Sequence, residues 1–311
     1  MELPHGIPSH DTIGRLSAQL NPKEFEQAFL NWIKAVKEIC KEEIVALDGK
    51  TLRRSYDKNS EKAEIHMVSA WASKNRMILG QIKTNEKSDE ITAIPELLRV
   101  PELEGCIVTI DAMGGQKDIV KEIRNKNADY VIALKGNQGK LHHDVKLFFE
   151  DAKESDFKDI RHSFYETTDG DHGRIEIRRY WTVSDIDWIA GKEFWKDLNM
   201  IGMAECERHT GNRVSTEIRY YISSLNGSVK KFASAVREHW GIENSLHWVP
   251  DVSFREDDCR IRKDHAPENF AIVRHIALNM LRRENTQNSV KLKRFRAGWD
   301  DDFLQKIVFT F

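Results

Sequence analysis

No stretch of this 311-residue chain approaches the roughly 18 consecutive apolar residues of a membrane span. The opening Met1-Glu-Leu-Pro-His5 has neither the basic start nor the apolar run of a secretory signal. A cytoplasmic protein without a membrane partner is therefore expected. Cysteine is scarce: Cys40, Cys106, Cys206 and Cys259 lie far apart, and none belongs to a CxxC pair. That spacing argues against a zinc site and a disulfide framework, and predicts reduced, partly buried thiols. There is no internal repeat and no low-complexity segment. Nor is there an excess of positive charge, since the formal net charge is −2. A dinucleotide site built on Asp111-Ala-Met-Gly-Gly115 fails, because no GxGxxG follows a strand with an acidic residue about 20 positions on.

What is present suits a globular chain of one large or two ordinary domains, with 40% hydrophobic and 32% charged residues. Near-neutrality conceals clustering. Basic residues gather at Arg53-Arg54, at Arg174 with Arg178-Arg179, at Arg260-Ile-Arg262-Lys263, at Arg282-Arg283 and from Lys291 to Arg296. A basic groove is compatible with that pattern, although each cluster alone reads as a solvated face.

Periodicity divides the chain. Residues 13–41 are predicted helical, with Leu16, Leu20, Phe25, Phe29 and Ile33 at helical intervals and Asn21-Pro22 as punctuation. Strands are predicted at 44–47, 65–72, 77–84, 106–110 and 130–134, and helices at 90–99 and 116–127. Ile91, Ile94, Leu97 and Leu98 form the inward face of the first of these helices. The order β-β-β-α-β-α-β predicts an α/β fold: a mixed sheet with flanking helices, the order shared by ribonuclease H-like domains. From 139 to 228 the texture is β-rich, with strands predicted at 174–183, 200–208 and 217–225. Helical sequence resumes at 228–248, and again from Asp264-His-Ala-Pro267 to about Arg283.

Asp48 and Asp111 each follow an apolar strand directly. Carboxylates there can protrude from a rigid sheet edge and hold Mg²⁺, which takes hard oxygen ligands. The commoner role of such an Asp is simply to open a turn. Glu243 lies in the helical stretch Val236–Trp248, with His239 four residues before it and His247 four after. A helix packed on the sheet edge would lower Glu243 between the aspartates. In the blander reading the helix is amphipathic, its Glu solvated; Trp240 and Trp248 are predicted core in either case. Gly241 would allow close backbone approach.

Five ordered motifs then stand out: Leu47-Asp-Gly-Lys-Thr51, Thr109-Ile-Asp-Ala-Met113, Tyr130-Val-Ile-Ala-Leu-Lys-Gly-Asn-Gln138, Asp171-His-Gly-Arg174 and His239-Trp-Gly-Ile-Glu-Asn-Ser-Leu-His-Trp248. Together they resemble the H-repeat-associated proteins among the DDE transposases of bacterial insertion sequences. The resemblance runs from Leu3 to Trp299. It implies a catalytic, metal-binding triad of Asp48, Asp111 and Glu243, two Mg²⁺ ions replaceable by Mn²⁺, and cutting and joining of DNA at the ends of an element. It also implies a homodimer when paired ends are bound. The implied organisation is a helical segment at 1–41, the first part of a ribonuclease H-like core at 42–138, a β-rich insertion at 139–228, and the Glu-bearing helix with the rest of the core at 229–311. Lys50, Arg53, Lys135, Asn137, His172, Arg174, Arg237, His239, His247, Arg260 and Arg262 become candidate DNA contacts. Arg260, Arg262 and Lys263 precede a helix N-terminus, a natural phosphate site.

The chain departs from the wider superfamily around the glutamate, where Tyr, Arg and Lys are common. Here the positions seven and four before Glu243 are Val236 and His239, and the seventh after it is Pro250. His239 or Arg237 is the expected substitute as a phosphate or proton partner. Relatives also carry more sequence upstream, so the alternative expectation is a shortened, inactive remnant that binds DNA without transposing it. The acidic run Asp251, Glu256, Asp257 and Asp258 reads as a loop charge cluster rather than a ligand set.

Overall fold

A computed structural model describes residues 6–36, 42–52, 64–84, 90–99, 103–171 and 173–309. Cys40, Arg53, Arg54 and His172 lie outside them. The chain forms two compact units, one of Met1–Ile39, Asp48–Pro101 and Gly241–Phe311, the other of Cys40–Leu47 and Glu102–Trp240. Strand β1 (Ile44–Leu52) runs from the second into the first. Nine strands make one mixed sheet in the order β3-β2-β1-β4-β5-β9-β8-β7-β6.

In the unit of Cys40–Leu47 and Glu102–Trp240 the start of β1, β4 (Ile107–Ile110) and β5 (Asp129–Leu134) run parallel, with Ile44 opposite Ile107 and Leu47 opposite Ile110. β4 is buried at all four residues, as a strand covered on both faces must be. The crossover helix α4 (Lys117–Asn125) buries Ile119, Val120 and Ile123. Four antiparallel strands continue the sheet: β6 (His162–Asp171), β7 (Arg174–Val183), β8 (Met200–Thr210) and β9 (Arg213–Ser223). β9 returns to pair with β5. The β-rich prediction missed β6 and placed β9 four residues late, since its first half is polar and exposed. The same segment opens with a helix, α5 (Gly139–Glu154), which packs Phe149 on Tyr220 with ring centroids 6.1 Å apart. Helix α6 (Val229–Ile242) closes the core by burying Phe232, Ala233, Ala235 and Val236 with Ile44, Ile107 and Met200.

In the other unit β2 (Ile65–Ala72) and β3 (Met77–Thr84) match their predicted limits and pair antiparallel. Helix α3 (Glu90–Arg99) also matches, although Ile91 is exposed and Ala93 takes its inward place. The first predicted helix is two: α1 (His10–Gln19), capped by Ser9, and α2 (Pro22–Val36), which starts at a proline. Leu16 and Leu20 are consequently exposed, while Phe29 and Ile33 are core. The buried helix α8 (Ala266–Arg283) carries two polar fasteners. Asn269 donates to the carbonyls of Ser17 and Leu20, satisfying the open end of α1. Asn279 accepts from the Ile78 amide and donates to the Ile78 carbonyl, serving as a strand partner would. Helices α7 (Trp248–Phe254), α9 (Val290–Ala297) and α10 (Asp301–Phe309) complete the unit.

Candidate active site

Asp48 does not open a turn. It lies within β1, which continues to Leu52, and is half-buried. Gly49 makes this possible. A Cβ there would stand 2.4 Å from both Glu90 Oε1 and His66 Nε2, so only glycine fits beside that pair. His66 Nε2 and Glu90 Oε1 are 2.6 Å apart and buried, and His66 Nδ1 reaches Thr51 Oγ1 at 3.0 Å. This three-residue chain stiffens the strand that carries Asp48. It was not foreseen, because a lone His in an apolar strand reads as ordinary core.

Glu243 begins a π-turn, Glu243–His247, between α6 and α7. The wider turn sets residues four apart nearly above one another, and such turns recur at functional sites. His247 Nδ1 stands 3.5 Å from Glu243 Oε2 and 3.6 Å from Asp48 Oδ2. One ligand atom from each of Asp48, Glu243 and His247 can be chosen so that all lie within 4.8 Å. The Glu243 side chain is 69% exposed and that of His247 only 8%. A buried imidazole therefore backs two carboxylates, one of them open to solvent. The predicted role of Gly241 is not met, since nothing lies within 4 Å of a Cβ built there. Trp248, expected in the core, is 60% exposed, whereas Trp240 is half-buried with Arg219 stacked 3.4 Å above its ring.

Lys50, two residues beyond Asp48, is held internally. Its Nζ donates to Asp251 Oδ1 at 2.7 Å, Glu256 Oε2 at 3.0 Å and the His247 carbonyl at 3.1 Å. Burial pulls its ammonium down, but Glu256 and Asp251 overcome that and hold its pKa above the ordinary value. The acidic run is thus a lysine cage, with Asp257 Oδ1 a further 3.9 Å contact. The cage ties β1 to the end of the π-turn. Beside it His275 is buried, and desolvation, reinforced by Lys50, Arg274 and His247, depresses its pKa to about 3.

In the other unit Asp111 does open a turn: its Oδ1 accepts from the amides of Met113 at 2.9 Å and Gly114 at 3.2 Å. An ionised carboxylate has about four acceptor sites, so this leaves capacity for a cation. The loop is pinned from behind. Asn137 Nδ2 and Gln138 Nε2 each donate to the Ala112 carbonyl at 2.6 Å. His239 Nδ1 lies 2.9 Å from Thr109 Oγ1, bracing β4 two residues before Asp111.

The remaining predicted contacts are dispersed. Lys135 and Arg237 are exposed, and Arg174 is exposed on β7 and paired with Glu176. Arg260 is exposed and Arg262 half-buried on the segment leading to α8. Among the described cysteines, Cys106 is buried and Cys206 and Cys259 are partly so, all free. No helix among the described residues is long and apolar enough to cross a membrane.

Residues 39–280 match the family described as transposase DDE domain. The chain belongs to that family. Its relatives match over nearly the whole of this chain and are themselves somewhat longer. YhhI of Escherichia coli (strain K12), an H repeat-associated protein whose name places it among the transposases, is 40% identical over 310 residues, 98% of this chain and 81% of its own. YncI of Escherichia coli O157:H7, also named among the transposases, is 42% identical over 309 residues, 98% of this chain and 78% of its own. A piggyBac transposase synaptic complex with hairpin DNA, determined by cryo-EM, aligns over 96% of this chain and 60% of that one at TM-score 0.44 and 11% identity, too distant to add to the assignment. As a member of the DDE family the chain is an enzyme of transposase type, which accords with the carboxylates gathered on β1 and the π-turn.

Proposed function

We propose that this protein cleaves DNA at the ends of an insertion-sequence element and joins them to a target, using Asp48, Asp111 and Glu243 to hold two divalent ions, Mg²⁺ or Mn²⁺. The observation that carries the reading is the convergence of Asp48 and Glu243, two carboxylates 195 positions apart in sequence whose ligand atoms come within 4.8 Å. Two carboxylates so close repel unless a cation or a proton lies between them. Support for Asp111 comes from strand register: Leu47 pairs with Ile110, and the next residues along those parallel strands are Asp48 and Asp111.

The donors fit the group. Carboxylate oxygens are the ligands hard divalent cations take, and Asp111 keeps acceptor capacity beyond its turn. Bound there, two metal ions would supply an activated water or 3′-hydroxyl and charge stabilisation at the leaving oxygen. The chain's own residues do the rest. Gly49 and the His66–Glu90 pair fix the direction of Asp48. Lys50 anchors the π-turn through the His247 carbonyl, and so sets the height of Glu243. Asn137 and Gln138 hold the Asp111 loop by its backbone. DNA phosphates are contacted by exposed cations, for which Lys135, Arg237 and Arg260 are the candidates, and binding weakens as salt rises.

The test is cleavage of DNA carrying the element's ends with Mg²⁺ or Mn²⁺, comparing the native chain with Asp111→Asn and Asp48→Asn. Metal-dependent nicking lost in both variants is the expected result. Binding without cleavage in all three proteins would replace the reading with that of a DNA-binding remnant.

A further inference from the structure

We infer that His247 is itself a metal ligand, forming with Asp48 and Glu243 a two-carboxylate, one-imidazole face that favours Mn²⁺ over Mg²⁺. This rests on the proposal that Asp48 and Glu243 hold a divalent ion, and adds to it a nitrogen donor that a site of three acids does not require.

Three observations carry it. The first is spacing. His247 Nδ1 lies 3.5 Å and 3.6 Å from its two carboxylate neighbours, beyond good hydrogen-bond distance. Ligands of one ion with bonds of about 2.1 Å stand about 3.0 Å apart in octahedral and about 3.4 Å in tetrahedral geometry. The two edges to His247 are about half an ångström longer than an octahedral site needs, and all three ligand atoms lie within 4.8 Å of one another.

The second is the orphaned nitrogen. The His247 side chain is 8% exposed, and its Nε2 has no hydrogen-bond partner among the described residues. Most buried side-chain nitrogens have a hydrogen-bond partner. A metal-bound imidazole turns one nitrogen to the ion and the other to a hydrogen-bonding group behind it. Behind His247 is a cavity of about 10 Å³, room for a single water, lined also by Lys50, Glu256 and His275. Glu256 Oε1 and His275 Nδ1 likewise lack hydrogen-bond partners among the described residues. One water there would join the outer nitrogen of His247 to a carboxylate, the support that ligating histidines usually have.

The third is the backbone. The π-turn brings Glu243 and His247 to the same ion-sized gap, and Lys50 fixes its far end by bonding the His247 carbonyl. An imidazole nitrogen weights a site toward first-row transition ions. Among these, Mn²⁺ shares the preference of Mg²⁺ for carboxylate and water. A protonated His247 would hold the same two carboxylates with no ion between them, so the decisive question is whether the nitrogen binds metal.

Pulsed electron paramagnetic resonance on the full chain loaded with substoichiometric Mn²⁺ answers it. The expected signature is a ¹⁴N coupling that becomes ¹⁵N when the histidines are ¹⁵N-labelled and disappears in His247→Gln. That variant should also bind Mn²⁺ at least about 10-fold more weakly in a free-Mn²⁺ titration, while Mg²⁺ affinity changes less. Bound Mn²⁺ without nitrogen coupling in the native chain overturns the role of His247 and leaves the carboxylate site standing, provided Asp48→Asn still weakens Mn²⁺ binding. Mn²⁺ binding indifferent to Asp48→Asn overturns both.

Discussion

Replacing Lys50 by Met tests the lysine cage, because it removes one charge and strands several groups at once. The Lys50 side chain is 15% exposed, Glu256 3% and Asp251 26%. Breaking a buried ion pair by deleting one partner typically costs about 3–5 kcal/mol, since the other charge stays buried and unpaired. Water can still reach Asp251, and Glu256 keeps Arg274 at 3.6 Å, so the lower end, about 3 kcal/mol, is expected. At about 2–4 °C per kcal/mol for a unit of 150–250 residues, the melting temperature should fall by roughly 6–12 °C. Guanidinium titration and thermal melting, both followed by circular dichroism, measure it. The double variant Lys50→Met with Glu256→Gln should recover part of the loss, because the stranded carboxylate is then neutral. A single-variant loss below about 1 kcal/mol is what an exposed pair gives. That result, or strict additivity in the double variant, would refute the cage.

Burial, with Glu268 and Glu96 nearby, pushes the Glu26 carboxyl up to about 7 from its ordinary 4.5. A raised carboxyl pKa means stability is lost as pH rises through that window, so Glu26→Gln should raise the melting temperature at pH 8 and leave it unchanged at pH 4. Glu284 behaves oppositely: burial raises its carboxyl, but hydrogen bonds from Thr286 and the ammoniums of Lys306 and Lys293 outweigh this and hold it at about 2. Its stabilisation is present above pH 4.5 and fades toward pH 2; the acid melting curve of Glu284→Gln should be flatter there, and an unchanged slope would remove the assignment. Gly202→Ala would place a Cβ 2.4 Å from the buried Phe232 ring, so a loss of about 1–3 kcal/mol in denaturant titration is expected, and a neutral variant would mean the ring moves freely.

Much of the fold was legible along the chain. β2, β3 and α3 fell at their predicted limits because alternation and helical spacing record which face is buried. Where burial is partial the pattern fades. The exposed first half of β9 and the polar strand β6 carry no alternation that distinguishes them from loop, and α5 hid inside a segment read for its strands. Trp248 was misplaced because aromatic content predicts burial on average, while the π-turn shifts which way the helix faces.

The candidate site divides along the same line. Motif order alone marked Asp48, Asp111 and Glu243, because an acid after an apolar strand and an acid on a helix are local features. Sequence by itself also determined that the chain belongs among the DDE transposases, through five ordered motifs spread over nearly its whole length. Only tertiary structure decided that Asp48 lies within a strand rather than a turn, that Lys50 is consumed by an acidic cage, and that His247 is buried between two carboxylates. The reason is distance along the chain. Lys50 and Glu256 are 206 positions apart, and no local periodicity encodes a pairing that only folding brings within 3.0 Å.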